Sequence, residues 1–89
     1  MPYVVCTSRL EYVGPTTSVY AQGSTVAEVI DNLSLAYPSL KSYLLDDQNN
    51  VRKHVAIFVD NTLEPRDGVL HKSVEEQTEI YFMQALSGG

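Results

Sequence analysis

The length and composition of the chain, 89 residues with a single cysteine, allow one domain with its own hydrophobic core and no internal disulfide. Its formal net charge of −5 argues against nucleic acid or a membrane surface as the main ligand and would suit a partner with a basic face. The lone cysteine, together with the lack of a signal segment or a bilayer-spanning apolar run, predicts a cytoplasmic protein.

The first part of the chain predicts an antiparallel pair of strands. Residues 3–10 and 16–22 are rich in residues that favour strands, and a Gly-Pro turn signal lies between them. Cys6 is interpreted as a core side chain rather than a reactive thiol, because no His or Lys cluster stands beside it. Two alternatives stay open for the buried face of the first strand: Val4 with Cys6, or Val5 with Thr7.

The strongest helix signal follows the second strand. Thr25 and Glu28 have the spacing of a capping box, in which Thr25 caps the first turn and Glu28 reaches back. Pro38 should end the helix at or just before Tyr37. Apolar residues recur at three and four positions along it and predict a stripe that packs on a sheet: Val26, Val29, Ile30, Leu33 and Tyr37.

The middle of the chain predicts one buried strand between less regular segments. Residues 39–50 predict a short helical turn and then a polar turn, which lacks the ligand spacing of a calcium loop. Residues 55–59 are almost wholly apolar and predict a central strand, followed by a tight turn at Asp60 and Asn61. A short edge strand is predicted near residues 69–72.

Residues 78–86 predict the last strand, with Ile80 and Phe82 facing the helix and Tyr81 and Met83 on the opposite face. The predicted order is strand, strand, helix, strand, short strand, strand. This order predicts an α+β domain with one mixed sheet packed on one main helix. If the first and last strands are neighbours, the leading topology is a ubiquitin-like β-grasp.

The end of the chain predicts a separate tail. We expect residues 1–86 to form the domain and residues 87–89, Ser87, Gly88 and Gly89, to form a flexible arm. Glycine has no Cβ and suits a tail that threads a narrow channel in a partner. The α-carboxyl is an anion and a poor electrophile at neutral pH, so acyl chemistry there requires activation. A frayed end or an expression remnant is the alternative.

Self-contained chemistry is not indicated. The sequence has no glycine-rich phosphate loop, so we expect no bound ATP, and it has no nucleophile signature. His54 and His71 lack cysteines or paired carboxylates at metal-ligand spacing, so we expect no metal site. The chain is therefore predicted not to be an enzyme by itself.

Two segments carry a family resemblance. The run Val-Ala-Ile-Phe-Val-Asp-Asn at residues 55–61 and the end Glu-Ile-Tyr-Phe-Met-Gln-Ala-Leu-Ser-Gly-Gly at residues 79–89 resemble the ThiS/MoaD family of ubiquitin-like sulfur carriers, and residues 25–33 are similar to its helix start. Residues 75–77 depart from the Asp-Gly turn of many members. Residues 39–54 are longer than in the smallest members and closer to the MoaD-like and cysteine-biosynthesis branches, which leaves the pathway open.

The resemblance implies a function for the tail. A ubiquitin-activating-type adenylating enzyme would use ATP on the Gly89 carboxylate, and a sulfur donor would displace AMP to leave a thiocarboxylate for a sulfur-accepting biosynthetic enzyme. Gly88 would give clearance, and Arg52 is either an added charged contact or a solvated side chain. The resemblance also implies an apolar partner-docking patch: Phe58, Tyr81, Met83 and Leu86.

Two other functions stay open. A ubiquitin-like modifier would be joined through Gly89 to lysines and would share the activation step. A small interaction subunit would insert its tail into a partner's active site without any activation.

Overall fold

The fold is a five-stranded mixed sheet with two helices, seen in a computed structural model that describes residues 1–7, 10 and 12–84. The strands are β1 (Tyr3–Cys6), β2 (Val19–Tyr20), β3 (Val55–Val59), β4 (Thr62–Leu63) and β5 (Glu79–Gln84), and the helices are α1 (Val26–Ala36) and α2 (Pro38–Leu44). The strand order is β2-β1-β5-β3-β4, with β1 and β5 parallel and the other neighbours antiparallel. The predicted β-grasp topology, with first and last strands adjacent, is confirmed.

Alternation along the central strands decides which face is buried. Val4 and Cys6 lie in the core, which settles the alternative left open for β1. Ile80 and Phe82 of β5 are fully buried, as predicted, and the apolar β3 contributes Ile57. The helices cover this face. The side chains of the alternate residues in the same strands lie on the other face of the sheet.

Helix α1 begins with a modified version of the predicted cap. The Glu28 backbone N–H donates to Thr25 Oγ1 at 3.2 Å, as in a capping box. The Glu28 carboxylate instead accepts bonds from the Ser24 N–H and hydroxyl, each at 3.0 Å, because Ser24 offers both donors. These bonds lower the pKa of Glu28. The predicted stripe is confirmed: Val26, Val29, Ile30 and Leu33 are buried and Tyr37 is half-buried.

Gly23, just before α1, occupies a position that a side chain would strain. Its φ is +155°, and a Cβ there would lie 2.7 Å from both the backbone nitrogen and Cγ2 of Val29. We expect Gly23→Ala to lower the free energy of unfolding by about 2 kcal/mol in urea denaturation. Gly68→Ala is the matched control, because φ there is +99° but no atom lies within 4 Å, and it should cost only about 1 kcal/mol. Equal losses would show that the contact with Val29 is unimportant.

Helix α2 is longer than the single helical turn predicted for this region. Helix α1 ends at Ala36, and Pro38 opens α2 two residues later. Proline is tolerated there because the first helical N–H has no partner within its helix. Leu40 and Leu44 are fully buried, so burial of this second helix stabilises it.

The first two strands are shorter than predicted. Strand β1 ends at Cys6 instead of residue 10, and β2 covers two residues instead of seven. Leu10 is fully buried outside any strand: its N–H donates to the Thr7 carbonyl, and its own carbonyl accepts from Gly14. Local turns therefore replace the ladder that a longer pair of strands would form.

The edge strand lies elsewhere than predicted. Val69–His71 is a 3₁₀ turn that follows Gly68, so the strand expected at residues 69–72 is wrong. The edge strand beside β3 is β4, which the predicted turn at Asp60 and Asn61 joins to β3. Both turn residues have positive φ, 48° and 69°, as a two-residue type I′ hairpin requires. Strand β5 begins at Glu79, and the predicted boundary between domain and tail at residue 86 lies outside the described residues.

Candidate functional site: the open sheet face and the end of β5

The open face of the sheet carries a small apolar surface, called here the sheet patch: Phe58, Tyr81 and Met83. The strand register places Phe58 opposite Tyr81, with Met83 opposite Ala56. The three side chains are half-buried and, with Asn61, line a shallow cavity of 250 Å³. Three of the four residues predicted to form the docking surface therefore lie together. The fourth, Leu86, lies outside the described residues.

Two further residues extend the patch and were missed in the sequence. Leu63 on β4 pairs with Phe58 and is 58% exposed, and Val5 on β1 pairs with Tyr81. Because residues paired across strands point to the same face, both add apolar surface beside the patch. The signal for Leu63 was present: a two-residue turn at 60 and 61 fixes the register that puts it opposite Phe58.

The end of β5 is tied to the rest of the domain by side chains. Gln84, the last residue of β5, pairs with Val55, and its Oε1 accepts a hydrogen bond from the Tyr43 hydroxyl at 3.0 Å. The Tyr43 ring packs edge-on against His54, with ring centroids 5.3 Å apart. Helix α2 and β3 thus fix the point from which the chain continues toward residues 87–89. The predicted tail residues Ser87, Gly88 and Gly89 lie outside the described residues.

Cys6 is a core side chain, as predicted. It is buried among apolar residues, and desolvation raises the pKa of its thiol to about 11. A thiol with this pKa carries very little thiolate at neutral pH, so it is a poor nucleophile.

Neither a metal-binding cluster nor a membrane-spanning helix occurs in the part of the chain that the structure describes. Residues 1–7, 10 and 12–84 bring no three His, Cys, Asp or Glu side chains together in a way that could hold a metal ion. Within the same ranges, neither helix has the length and apolar character needed to cross a membrane.

The parallel central pair β1–β5, the flanking antiparallel strands and the helices on one face define a ubiquitin-like β-grasp protein. The sequence model of the ThiS family matches residues 6–89, and the chain belongs to that family. No curated protein sequence matches the chain.

Several solved structures share the fold. A chain in the crystal structure of the Amycolatopsis orientalis BexX/CysO complex is 23% identical, covers 100% of both chains and has a TM-score of 0.86. Mycobacterium tuberculosis CysO, an antigen, is 22% identical over 97% of this chain and 100% of that one, with a TM-score of 0.84. Haloferax volcanii SAMP1 is 21% identical over 99% of this chain and 98% of that one, with a TM-score of 0.76.

Proposed function

We propose that this protein is a sulfur carrier. Family and fold support the broader class, a ubiquitin-like sulfur carrier or modifier. In the proposed cycle, an adenylating enzyme of the ubiquitin-activating type acts on the Gly89 carboxylate, and sulfur from a donor then forms a thiocarboxylate for cofactor, amino-acid or metabolite biosynthesis. The observation that carries this proposal is the ThiS family match, which extends through the Ser-Gly-Gly segment to Gly89.

The chemistry explains why a partner is required. The carboxylate is a resonance-stabilised anion that resists nucleophilic attack. Its oxygen attacks the α-phosphorus of ATP, pyrophosphate leaves, and the resulting acyl adenylate is a good electrophile. Hydrosulfide from the sulfur donor then attacks the acyl carbon: the carbon–sulfur bond forms, the bond to AMP breaks, and the thiocarboxylate remains. In this proposal the chain is a cosubstrate rather than an enzyme, the partner binds the ATP, and Gly88 gives the tail clearance in the partner's channel.

The sheet patch is proposed to dock the partners. Phe58, Tyr81 and Met83, with Leu86 beyond them, supply apolar and aromatic contacts of the kind that form interface cores. Met83 lies on the same strand that leads to the tail, and the six residues that follow it, 84–89, reach at most about 20 Å when extended. A partner docked on the patch must therefore hold its adenylation centre within that distance.

The intact mass of the protein from its native host tests the proposal. We expect a species heavier than the sequence mass by the difference between a sulfur and an oxygen atom, located at Gly89, which must be the last residue of the mature chain. A thiol-reactive alkylating reagent should label this species rapidly at neutral pH. Cys6, the single cysteine, is the control: its raised pKa and burial should keep it unlabelled in the folded protein.

Cys6→Ser removes any remaining ambiguity in that measurement. The added mass and the labelling should both persist in this variant, because neither depends on the cysteine. Loss of both on substitution would show that the modified sulfur was the thiol of Cys6 and would contradict a thiocarboxylate at Gly89.

A protein modifier is the second candidate. It is favoured by the likeness to Haloferax volcanii SAMP1, a small archaeal modifier protein. A modifier would use the same adenylated Gly89 but transfer it to lysine amines, giving isopeptide-linked conjugates of higher mass. Immunoblotting and peptide mass analysis of native extract separate the two functions: conjugates through Gly89 favour the modifier, and free protein with added sulfur favours the carrier.

A further inference from the structure

Positive charge is concentrated at one place in this acidic chain. Three of its six Lys and Arg side chains, Arg52, Lys53 and Arg66, line one open groove of 720 Å³, called here the cationic groove. Asp46 and Asp67 also line it. The net charge of −5 predicts a partner with a basic face, but the local charge at this groove is of the opposite sign.

The cationic groove lies at the end of the sheet where β5 ends. Arg52 and Lys53 come just before β3, whose first residue pairs with Gln84, the last residue of β5. The Glu64 N–H donates to the Ile57 carbonyl at 3.0 Å, so the chain after β4 runs back along β3 toward the same end and brings Arg66 into the groove. The groove is thus beside Gln84, the last residue of β5 that the structure describes.

The cations of the groove are available to a partner. Lys41 and Lys72 have carboxylates within 4 Å, on Asp31 and Glu64 respectively. Among the described residues, no carboxylate lies that close to the cationic groups of Arg52, Lys53 or Arg66.

Two of the groove's charged side chains are already held in place. The Arg52 Nε donates to the Ser42 carbonyl at 3.1 Å, which orients the guanidinium. The Asp46 carboxylate accepts the N–H groups of Asn50 and Gln48, and these bonds lower its pKa. Asp46 therefore stays ionised, and with Asp67 it offsets two of the three positive charges, so the groove keeps a net positive charge.

We propose that the cationic groove, next to the end of β5, binds a segment rich in Asp and Glu on the adenylating partner; the identity of that partner rests on the function proposed above. Complementary charge at this position would steer the tail toward the partner and raise the association rate in a salt-dependent manner. Asp46 and Asp67 share the groove with the three cations, and this mixed lining suits the spaced carboxylates of a polypeptide better than the concentrated charge of a triphosphate.

Titration of the ¹⁵N-labelled protein with a hexaglutamate peptide at low salt tests the groove directly. We expect amide shift changes centred on residues 50–54 and 66–67, which high salt should suppress. The double variant Lys53→Gln/Arg66→Gln should raise the Kd roughly tenfold, because it removes two charged contacts. Lys72→Gln is a control for loss of a lysine charge: its carbonyl accepts the Val26 N–H at the start of α1, and it should bind as wild type does.

Three results of that titration would overturn the inference. Shift changes centred elsewhere would remove the groove as the site. An equal loss of hexaglutamate affinity in Lys72→Gln would show that the total charge of the protein decides binding. Tighter binding of Mg-ATP than of hexaglutamate in the same groove would identify a nucleotide site instead of a peptide site.

Adenylation kinetics with the partner enzyme then assign the occupant. We expect Lys53→Gln/Arg66→Gln to raise the KM for the carrier about tenfold at low salt with kcat unchanged, because the groove acts in association. An unchanged KM at every salt concentration would overturn the groove inference and leave the proposed function intact. The wild-type protein could instead bind hexaglutamate and yet not be adenylated. That result would refute the proposed function and this partner, while leaving the groove itself as a binding site.

Discussion

Deletion of Gly89 alone is expected to abolish adenylation by the activating partner without changing the melting temperature. The shortened chain still ends in a carboxylate, on Gly88, but that group lies about 3.5 Å short of its proper position. A misplacement of about 1 Å can cost a hundredfold in rate, so no ATP–pyrophosphate exchange should be measurable. The core should be unaffected, because the last buried residue that the structure describes is Phe82.

Ser87→Ala is the control for this deletion, because it alters the tail but keeps its length and its terminal glycines. It should be adenylated, and both variants should have the melting temperature of the wild-type protein in scanning calorimetry. Normal exchange by the Gly89 deletion would contradict the role assigned to that residue. A large fall in its melting temperature would instead show that the end of the chain packs on the domain.

The elements predicted correctly from the sequence are those whose pattern follows from burial on one side. Helix α1 repeats its apolar residues at three and four positions. Strand β3 has three buried residues facing the core, and its two alternate residues, Ala56 and Phe58, are half-buried on the open face. The turn at Asp60 and Asn61 was also readable, since both residue types tolerate positive φ.

The elements that were missed are short and depend on tertiary contacts. Strand β4 has two residues and no pattern of its own; it exists because the turn returns it to β3. The segment Val69–His71 looks like a strand by composition, but Gly68 at φ +99° turns the chain into a 3₁₀ turn that buries Val69. Local propensity is too weak to decide such segments, and packing overrides it.

The same distinction between predictable and unpredictable parts applies to the sheet patch and the cationic groove. Alternation along β5 was sufficient to put Tyr81 and Met83 on the open face, and the antiparallel register with β3 adds Phe58. The cationic groove was not predictable, because Arg66 is distant in sequence from Arg52 and Lys53. Only the β3–β4 hairpin and the path of the chain after it bring these side chains together.

Met83→Asp is expected to weaken binding to the activating partner roughly a hundredfold while leaving the domain folded. Met83 is half-buried on the open face, opposite Ala56, so in the free protein a carboxylate there can remain hydrated. A partner that covers the sheet patch would remove that water and leave an unpaired buried charge, which is costly. Isothermal titration calorimetry gives the Kd, and circular dichroism melting shows whether the fold is retained.

Leu35→Asp is the matched control, because it makes an equivalent change from an apolar side chain to a carboxylate at a place where no docking is proposed. Leu35 is 84% exposed on α1, on the other side of the sheet. If both variants weaken binding equally, added negative charge is acting at long range and the sheet patch has no special role. An unchanged affinity for Met83→Asp would remove Met83 from the docking surface. Salt would screen exposed charges at the two sites to the same extent. If only Met83→Asp loses affinity for the partner, the partner must therefore contact the sheet patch and exclude water from it.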